Sequence, residues 1–497
     1  MASVKCFIAN TLKTFWTILL CLFLMPAASV RANPQFNISE INGQNGKWII
    51  ADLDGDGLED LISLNGANLS IFFQDAKQGF PHEPQLSWRL PEQPGLIWSA
   101  KLGKTAGSLL LMTSDGVAEL CATNRAGPPV IQQIIRQPTI IPNTTGGLAV
   151  VNLAMSAKTA TGWPLLLLPT RDSLQVWQHR DEWRCAQVIA LTNRIWLSPA
   201  STNPSYADLF DFDFSIEDVN RDGREDLMIR RDQDAANCTY TLYLQQSNGL
   251  FAPEPEFVYT DQWQMFSWLC WADLNHDGKL DLIKSVWINE PSFLPGVPSA
   301  KVVAGIYTAD EHGQIPPQPQ QVFRKSDWTP ALPVVDVDGD GFQDLVLGYN
   351  HMASREGLTR EITARQLVYT LGFYFYHPGM GFPQQADFQR DVVIRLDHLT
   401  NPLDWSLIEN FQRSVSLAGD FNGDGKKDLL VRDHGNDLSV YFFRSRQEGF
   451  SAQPDLRFSC PEGFTDWQIA DLNGDGVSDL MVKLAGKNVY RIFISQK

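Results

Sequence analysis

Short apolar runs set between turn residues dominate the chain, as at Leu61-Ile62, Leu109 to Met112, Leu165 to Leu168, Leu227 to Ile229, Leu345 to Leu347 and Leu429 to Val431. Runs of this length bounded by Gly, Asp and Asn read as strands. The runs recur in a fixed order of strand, acidic loop, strand, turn, strand, Gly-Phe-like turn and strand. The Gly-Phe-like turns fall at Gly79-Phe80, Gly249-Leu250-Phe251, Gly381-Phe382 and Gly449-Phe450. Four-stranded antiparallel units of about 50 residues are the blades of a β-propeller.

The acidic loop recurs six times with the pattern D-x-[DN]-x-D-G-x-x-D-L. Its polar positions 1, 3, 5 and 9 are Asp52, Asp54, Asp56 and Asp60, then Asp218, Asn220, Asp222 and Asp226, then Asp273, Asn275, Asp277 and Asp281. The remaining copies place Asp336, Asp338, Asp340 and Asp344, then Asp420, Asn422, Asp424 and Asp428, then Asp471, Asn473, Asp475 and Asp479. Oxygen side chains at positions 1, 3 and 5 converge when the chain curls tightly, and the glycine at position 6 permits the curl. With a carbonyl at position 7 and the carboxylate at position 9, such a loop offers the six or more oxygens that Ca²⁺ takes. An EF-hand begins the same way but ends on a bidentate Glu at position 12 between helices. Here position 12 is Ser63, Ile229, Lys284, Leu347, Val431 or Val482, and a strand follows at once. Acidic turns without metal are the plain alternative; six identical ligand patterns argue against it, and the expected cofactor is about six Ca²⁺.

Spacing gives the architecture. The first aspartates lie 166, 55, 63, 84 and 51 residues apart, so the long interval has room for two more units. Trp98 to Leu120 and Leu148 to Trp177 keep the apolar runs and turns of a unit while lacking the acids. The expected fold is all-β, a single propeller of eight four-stranded blades, with seven as the alternative. The last unit stops after its third strand, and Pro34 to Ser39 aligns with the fourth-strand segment Pro454 to Ser459. An N-terminal strand therefore completes the final blade and leaves no open edge.

These loops and Gly-Phe turns resemble the FG-GAP or VCBS repeats of the integrin α N-terminal-like propeller superfamily, over about residues 34 to 497. The resemblance implies a secreted calcium-binding propeller used for adhesion or ligand binding. Integrin propellers have seven blades, whereas a similar eight-bladed calcium propeller occurs in rhamnogalacturonan lyases. That keeps an enzyme acting on extracellular polysaccharide as the alternative, with a structural envelope component third.

Residues 1–32 read as an export signal: Lys5 and Lys13 precede the apolar run Phe15 to Ala27, and Val30-Arg31-Ala32 offers a cleavage site. Residues 33–497 are then the mature propeller, outside the cytoplasm, in the periplasm or at the cell surface. That run is too short to span a bilayer, and no later apolar run is long enough to do so. The net charge is −17; removing the signal makes it −20, and six Ca²⁺ would bring it to −8. Such acidity excludes nucleic-acid backbones as partners. Five mature cysteines, Cys121, Cys185, Cys238, Cys270 and Cys460, are too scattered for a disulfide framework. The chain lacks a nucleophile elbow, an H-E-x-x-H helix, a P-loop and a dinucleotide fingerprint, so a binding module is favoured over an enzyme and no catalytic residue is assigned. His276 occupies a non-ligand position of its loop and is expected to be exposed. Trp48, Trp271 and Trp467 precede loops and are expected to pack between blades.

Insertions collect opposite the acidic loops, at Trp287 to Lys301, Tyr349 to Arg365, Leu197 to Phe210 and Asp397 to Ser414. They bear Trp287, Glu290, His351, Arg355, Arg360, Glu361 and Trp405. That face is the expected site for a protein or glycan ligand, bound by a monomer.

Overall fold

A strand packed on both faces carries apolar residues at consecutive positions, and the short runs are such strands. In Ser108–Thr113, Leu109 and Leu111 enter a core shared with the preceding blade, while Leu110 and Met112 enter one shared with the next. The structure is a computed structural model that describes residues 34–43, 47–102, 107–122, 125, 127, 129–141, 150–151, 156–157, 159, 164–191, 212–232, 237–262, 267–290, 299–325, 334–350, 359–360, 363–395, 414–434 and 436–496.

Eight blades form the ring. The first four, each in strand order, are Lys47–Ala51, Asp60–Asn65, Asn68–Phe72 and Leu86–Arg89; Leu96–Ala100, Ser108–Thr113, Gly116–Cys121 and Val130–Arg136; Ser156–Ala157, Leu165–Pro169, Ser173–His179 and Trp183–Ala190; Phe212–Glu217, Asp226–Asp232, Asn237–Tyr243 and Phe257–Gln262. The fifth contains Ser267–Ala272, Asp281–Glu290, Ser299–Tyr307 and Gln321–Lys325. In the sixth, Leu345–Asn350, Gln366–Tyr374 and Phe388–Arg395 are preceded by an isolated bridge between Val335 and Asp344. The seventh has Val415–Ser416, Leu429–His434, Asp437–Tyr441 and Leu456–Ser459. The eighth joins Phe464–Ala470, Asp479–Leu484 and Val489–Gln496 to Gln35–Asn42 from the other end of the chain. Blades two and three are the two units that lack acidic loops, so eight is the count. The second blade also gains Val150–Val151, parallel to its first strand.

Closure is an antiparallel ladder running from Gln35 opposite Gln496 to Asn42 opposite Val489. Ile41 is fully buried at this seam, and Arg491 Nη2 pairs with Glu40 Oε1 at 2.5 Å. Seven apolar clusters link the blades around the whole ring, blade eight to blade one included. Trp48 packs edge-on against Tyr490 across that seam, Trp271 lies among Tyr240, Phe257 and Tyr259 of blade four, and Trp467 meets Phe464. The three tryptophans are packing residues, as their positions predicted. All five described cysteines are free thiols. Among the described residues no helix is long and apolar enough to cross a membrane.

The insertion after Asp281 extends a hairpin, whose ladder continues to Glu290 opposite Ser299. Residues 1–32, the crossings 197–210 and 397–413, and His351, Arg355, Glu361 and Trp405 lie outside the described residues, as do the side chains of Trp287 and Glu290. Arg360 is exposed.

Candidate metal-binding loops

Each acidic loop begins where a first strand gives out and ends where the second starts, so all six occupy the same end of their blades. One hydrogen-bond scheme repeats six times. The position-1 carboxylate accepts the N–H of the position-6 glycine, from 2.7 Å at Gly425 to 3.2 Å at Gly278. Oδ1 at position 3, whether Asp or Asn, accepts the N–H of position 5. Oδ1 at position 5 accepts the N–H of position 7. Position 4 always has positive φ, and is Gly in four loops but Arg221 (58°) and His276 (61°) in the other two. The curl brings oxygens of Asp52, Asp54 and Asp56 within 4.8 Å of one another, and those of Asp336, Asp338 and Asp340 likewise. Two oxygens on opposite sides of a Ca²⁺ ion stand about 4.8 Å apart, so the all-oxygen donor set fits a hard cation of that size.

The ninth carboxylate turns into the blade. It is fully or almost fully buried in all six copies. Its Oδ2 accepts the N–H of position 2, at 2.9 Å for Leu53 and 2.7 Å for Leu472. Its Oδ1 accepts a backbone N–H at the end of the third strand or just beyond it, from Gln74, Gln245, Ala309, Tyr376, Phe443 or Ser495. This side chain therefore ties the loop to the third strand, while each oxygen keeps a second lone pair. Burial pushes these acids up, to about 7 at Asp60, Asp281 and Asp344, about 6 at Asp226 and Asp479, and about 8 at Asp428. Neighbouring loop aspartates add to the rise and the N–H donors oppose it. A cation beside them would favour the charged form.

Successive loops also touch. Glu59 N donates to Leu472 O, Lys427 N to Val337 O and Ser478 N to Asp420 O, at 2.7 to 2.9 Å. His276, expected to be exposed, is half-buried because its ring stacks on Phe342 of the next loop, with centroids 3.9 Å apart. Its left-handed backbone aims the side chain along the ring of loops, which sequence spacing did not indicate.

Other partners were invisible in the motif. The Gly-Phe turns dock on the fourth strand of the preceding blade: Gln187 bonds both N and O of Phe251, Gln321 does the same to Phe382, and Ser39 Oγ accepts Phe80 N. Arg125 pairs with Asp54 and, at 2.7 Å, with Asp56, while Arg446 pairs with Asp338 and Asp340.

The FG-GAP-like repeat model matches residues 218–283 and 420–482, each stretch running from an acidic loop to the second strand of the following blade. No curated protein matches the chain. Among solved structures, one described as the specific recognition of non-reducing terminal N-acetylglucosamine by an Agrocybe aegerita lectin is 14% identical, covers 74% of this chain and 91% of its own, and has a TM-score of 0.40. With the repeat matched in two places, and acidic loops and Gly-Phe turns set around an eight-bladed ring, the chain is a β-propeller that carries FG-GAP-like repeats.

Proposed function

We propose that this protein is an exported, calcium-stabilised propeller that binds a protein or glycan ligand on the face away from its acidic loops. The observation that carries the reading is the sixfold scheme of the loops. Their oxygens accept the loops' own backbone N–H groups, in two loops three carboxylates converge within 4.8 Å, and three pairs of neighbouring loops bond to one another, which supports a structural role for that end of the ring. Positions 1, 3 and 5, the carbonyl of position 7 and a lone pair of the position-9 carboxylate would hold each ion. The ion supplies charge neutralisation. The chain's own contribution is a loop already curled by its N–H groups. Loops on the opposite face are then available for recognition.

Two measurements test this. Metal analysis of the mature protein dialysed against millimolar calcium should return close to six ions, and two or fewer would end the calcium assignment. A protein and glycan array, probed with and without calcium, should yield a ligand whose binding weakens in Trp287→Ala, Arg355→Ala and Trp405→Ala. A side chain that meets a ligand is exposed in the free protein, and substitutions at such positions usually change stability by within about 0.5 kcal/mol, so those variants should melt as the parent does. Normal ligand binding by all three, with loss in acidic-loop variants of unchanged stability, would place the site on the other face.

A further inference from the structure

The six loops are not alike in charge. Four carry Asn at position 3, and two, 52–60 and 336–344, carry Asp. These two are the loops gripped by an arginine from the next blade. Arg125 lies in the connection between the third and fourth strands of blade two, and Arg446 lies in the same connection of blade seven. Both guanidinium groups use Nε on position 3 and Nη2 on position 5, and in every case the oxygen taken is Oδ2. Each also rests over a phenylalanine, Arg125 at 5.3 Å from the Phe73 ring and Arg446 at 5.1 Å from that of Phe375. Phe73 and Phe375 occupy the same place in their blades, one residue before the N–H that caps the ninth carboxylate. The same cradle has been built twice, five blades apart.

Neither all-aspartate loop carries a basic residue of its own, whereas three of the Asn-type loops hold Arg221 and Arg224, Lys279, or Lys426 and Lys427. Of these, Arg224 Nη2 takes Asp222 Oδ2 at position 5 of its own loop, but none spans positions 3 and 5 as Arg125 and Arg446 do. Counting the guanidinium, the four carboxylates of an all-aspartate loop come to −3, the value Asn gives the ligand positions of the other four. In the two gripped loops, Oδ1 at positions 3 and 5 is already taken by the loop's own N–H groups. The arginine holds the second oxygen of each carboxylate and sets its own positive charge beside the ion's place. An ion that enters must displace the guanidinium or bear its repulsion, and each alternative costs affinity.

We propose that Arg125 and Arg446 are built-in competitors of calcium, so that loops 52–60 and 336–344 are the two weak sites among six and act as blade-to-blade clasps when empty of metal. This rests on the calcium reading above. In the metal-free protein the clasps join blade one to blade two and blade six to blade seven. As calcium rises, the four Asn-type loops fill first and the clasped loops last.

The test is a calcium titration by calorimetry on the mature protein, with Arg125→Gln, Arg446→Gln and the double variant. The parent should show four tighter and two weaker sites. Each single variant should move one site into the tight class by about tenfold, and the double variant should give six equivalent sites. Melting supplies an independent readout. Without calcium the variants should melt below the parent, and with saturating calcium at or above it. Six equivalent sites in the parent would overturn the proposal, as would weaker calcium binding in the variants. No calcium bound by the parent at all would overturn the calcium reading instead. Should the double variant fail to fold, the single variants decide.

Discussion

Blades two and three and the six blades with acidic loops build the same frame by different means. In five blades the second strand starts opposite an alanine: Asp60 opposite Ala51, Asp281 opposite Ala272 and Asp479 opposite Ala470, but also Ser108 opposite Ala100 and Leu165 opposite Ala157, whereas Asp226 starts opposite Glu217. Where an aspartate stands, it fastens two backbone N–H groups. In blade two Ser108 Oγ instead donates to Glu119 at 2.6 Å, and Cys121 Sγ donates to the same oxygen at 3.2 Å, so the buried carboxylate arrives from the third strand. In blade three the position is apolar, and Leu165 to Leu168 are wholly buried in the cluster that joins blades two, three and four. The same blade can therefore be built without an acidic loop. Under the calcium reading proposed above, dependence on the ion belongs to the loops that gather like charges, and its cost and benefit stay local to them.

The largest expected effect follows from that locality. An ion that binds only the folded chain stabilises it by about 2.7 kcal/mol per independent site at one hundred times its Kd. Excess chelator should lower the melting temperature substantially, and calcium should restore it better than magnesium, which prefers a smaller octahedral shell. Hydrogen exchange should show where the loss falls. Protection should drop in Asp226–Asp232, Leu429–His434 and Asp479–Leu484, and persist in Ser108–Thr113 and Leu165–Pro169. Uniform loss around the ring would mean that the metal-free blades depend on their neighbours' ions, and the comparison would fail.

Next in size is the ninth carboxylate. Asp428→Ala leaves the N–H groups of Phe421 and Phe443 buried without their acceptor. At 1 to 3 kcal/mol for each orphaned donor, the loss should be about 3 kcal/mol. Ser108→Ala removes one donor from Glu119 while Cys121 remains, and should cost about 1 kcal/mol. Urea unfolding of the two variants sharpens the contrast; equal losses would show that the aspartate is no more structural than the serine.

Much of this was legible in the residues. Apolar runs with turns between them revealed even the two blades that have lost their acids, because a doubly buried strand cannot hide its composition. The likeness of residues 34–39 to 454–459 revealed the closing strand, because equivalent strands meet equivalent neighbours. What stayed hidden acts across blades. Arg446 is 108 residues from Asp338, and Gln321 is 61 from Phe382, so no local pattern couples them. The only signal was recurrence, a glutamine at matching places in two fourth strands. The inward turn of the ninth aspartate was hidden for a related reason: the N–H groups that hold it come from backbone, which carries no residue code.

The smallest expected effect separates two loops that share a glycine at position 4. Gly339 and Gly474 both occupy position 4, with φ of 73° and 70°. Alanine at either site must adopt the left-handed region, which costs roughly 1 kcal/mol for a residue with a Cβ. Their surroundings differ. A Cβ on Gly339 would lie 2.7 Å from the carbonyl oxygen of Gly425 in the next loop, a backbone atom that cannot swing aside, while on Gly474 the nearest atom, Gly57 O, is 3.9 Å away. Gly474→Ala should therefore lose about 1 kcal/mol, and Gly339→Ala about 2 kcal/mol, because it must also push loop 420–428 outward. The extra loss should shrink when calcium is removed, since an unfilled neighbouring loop can yield. If the two variants unfold at the same denaturant concentration with calcium present, the junction between those loops is looser than their spacing indicates, and the ring of loops does not act as one body there.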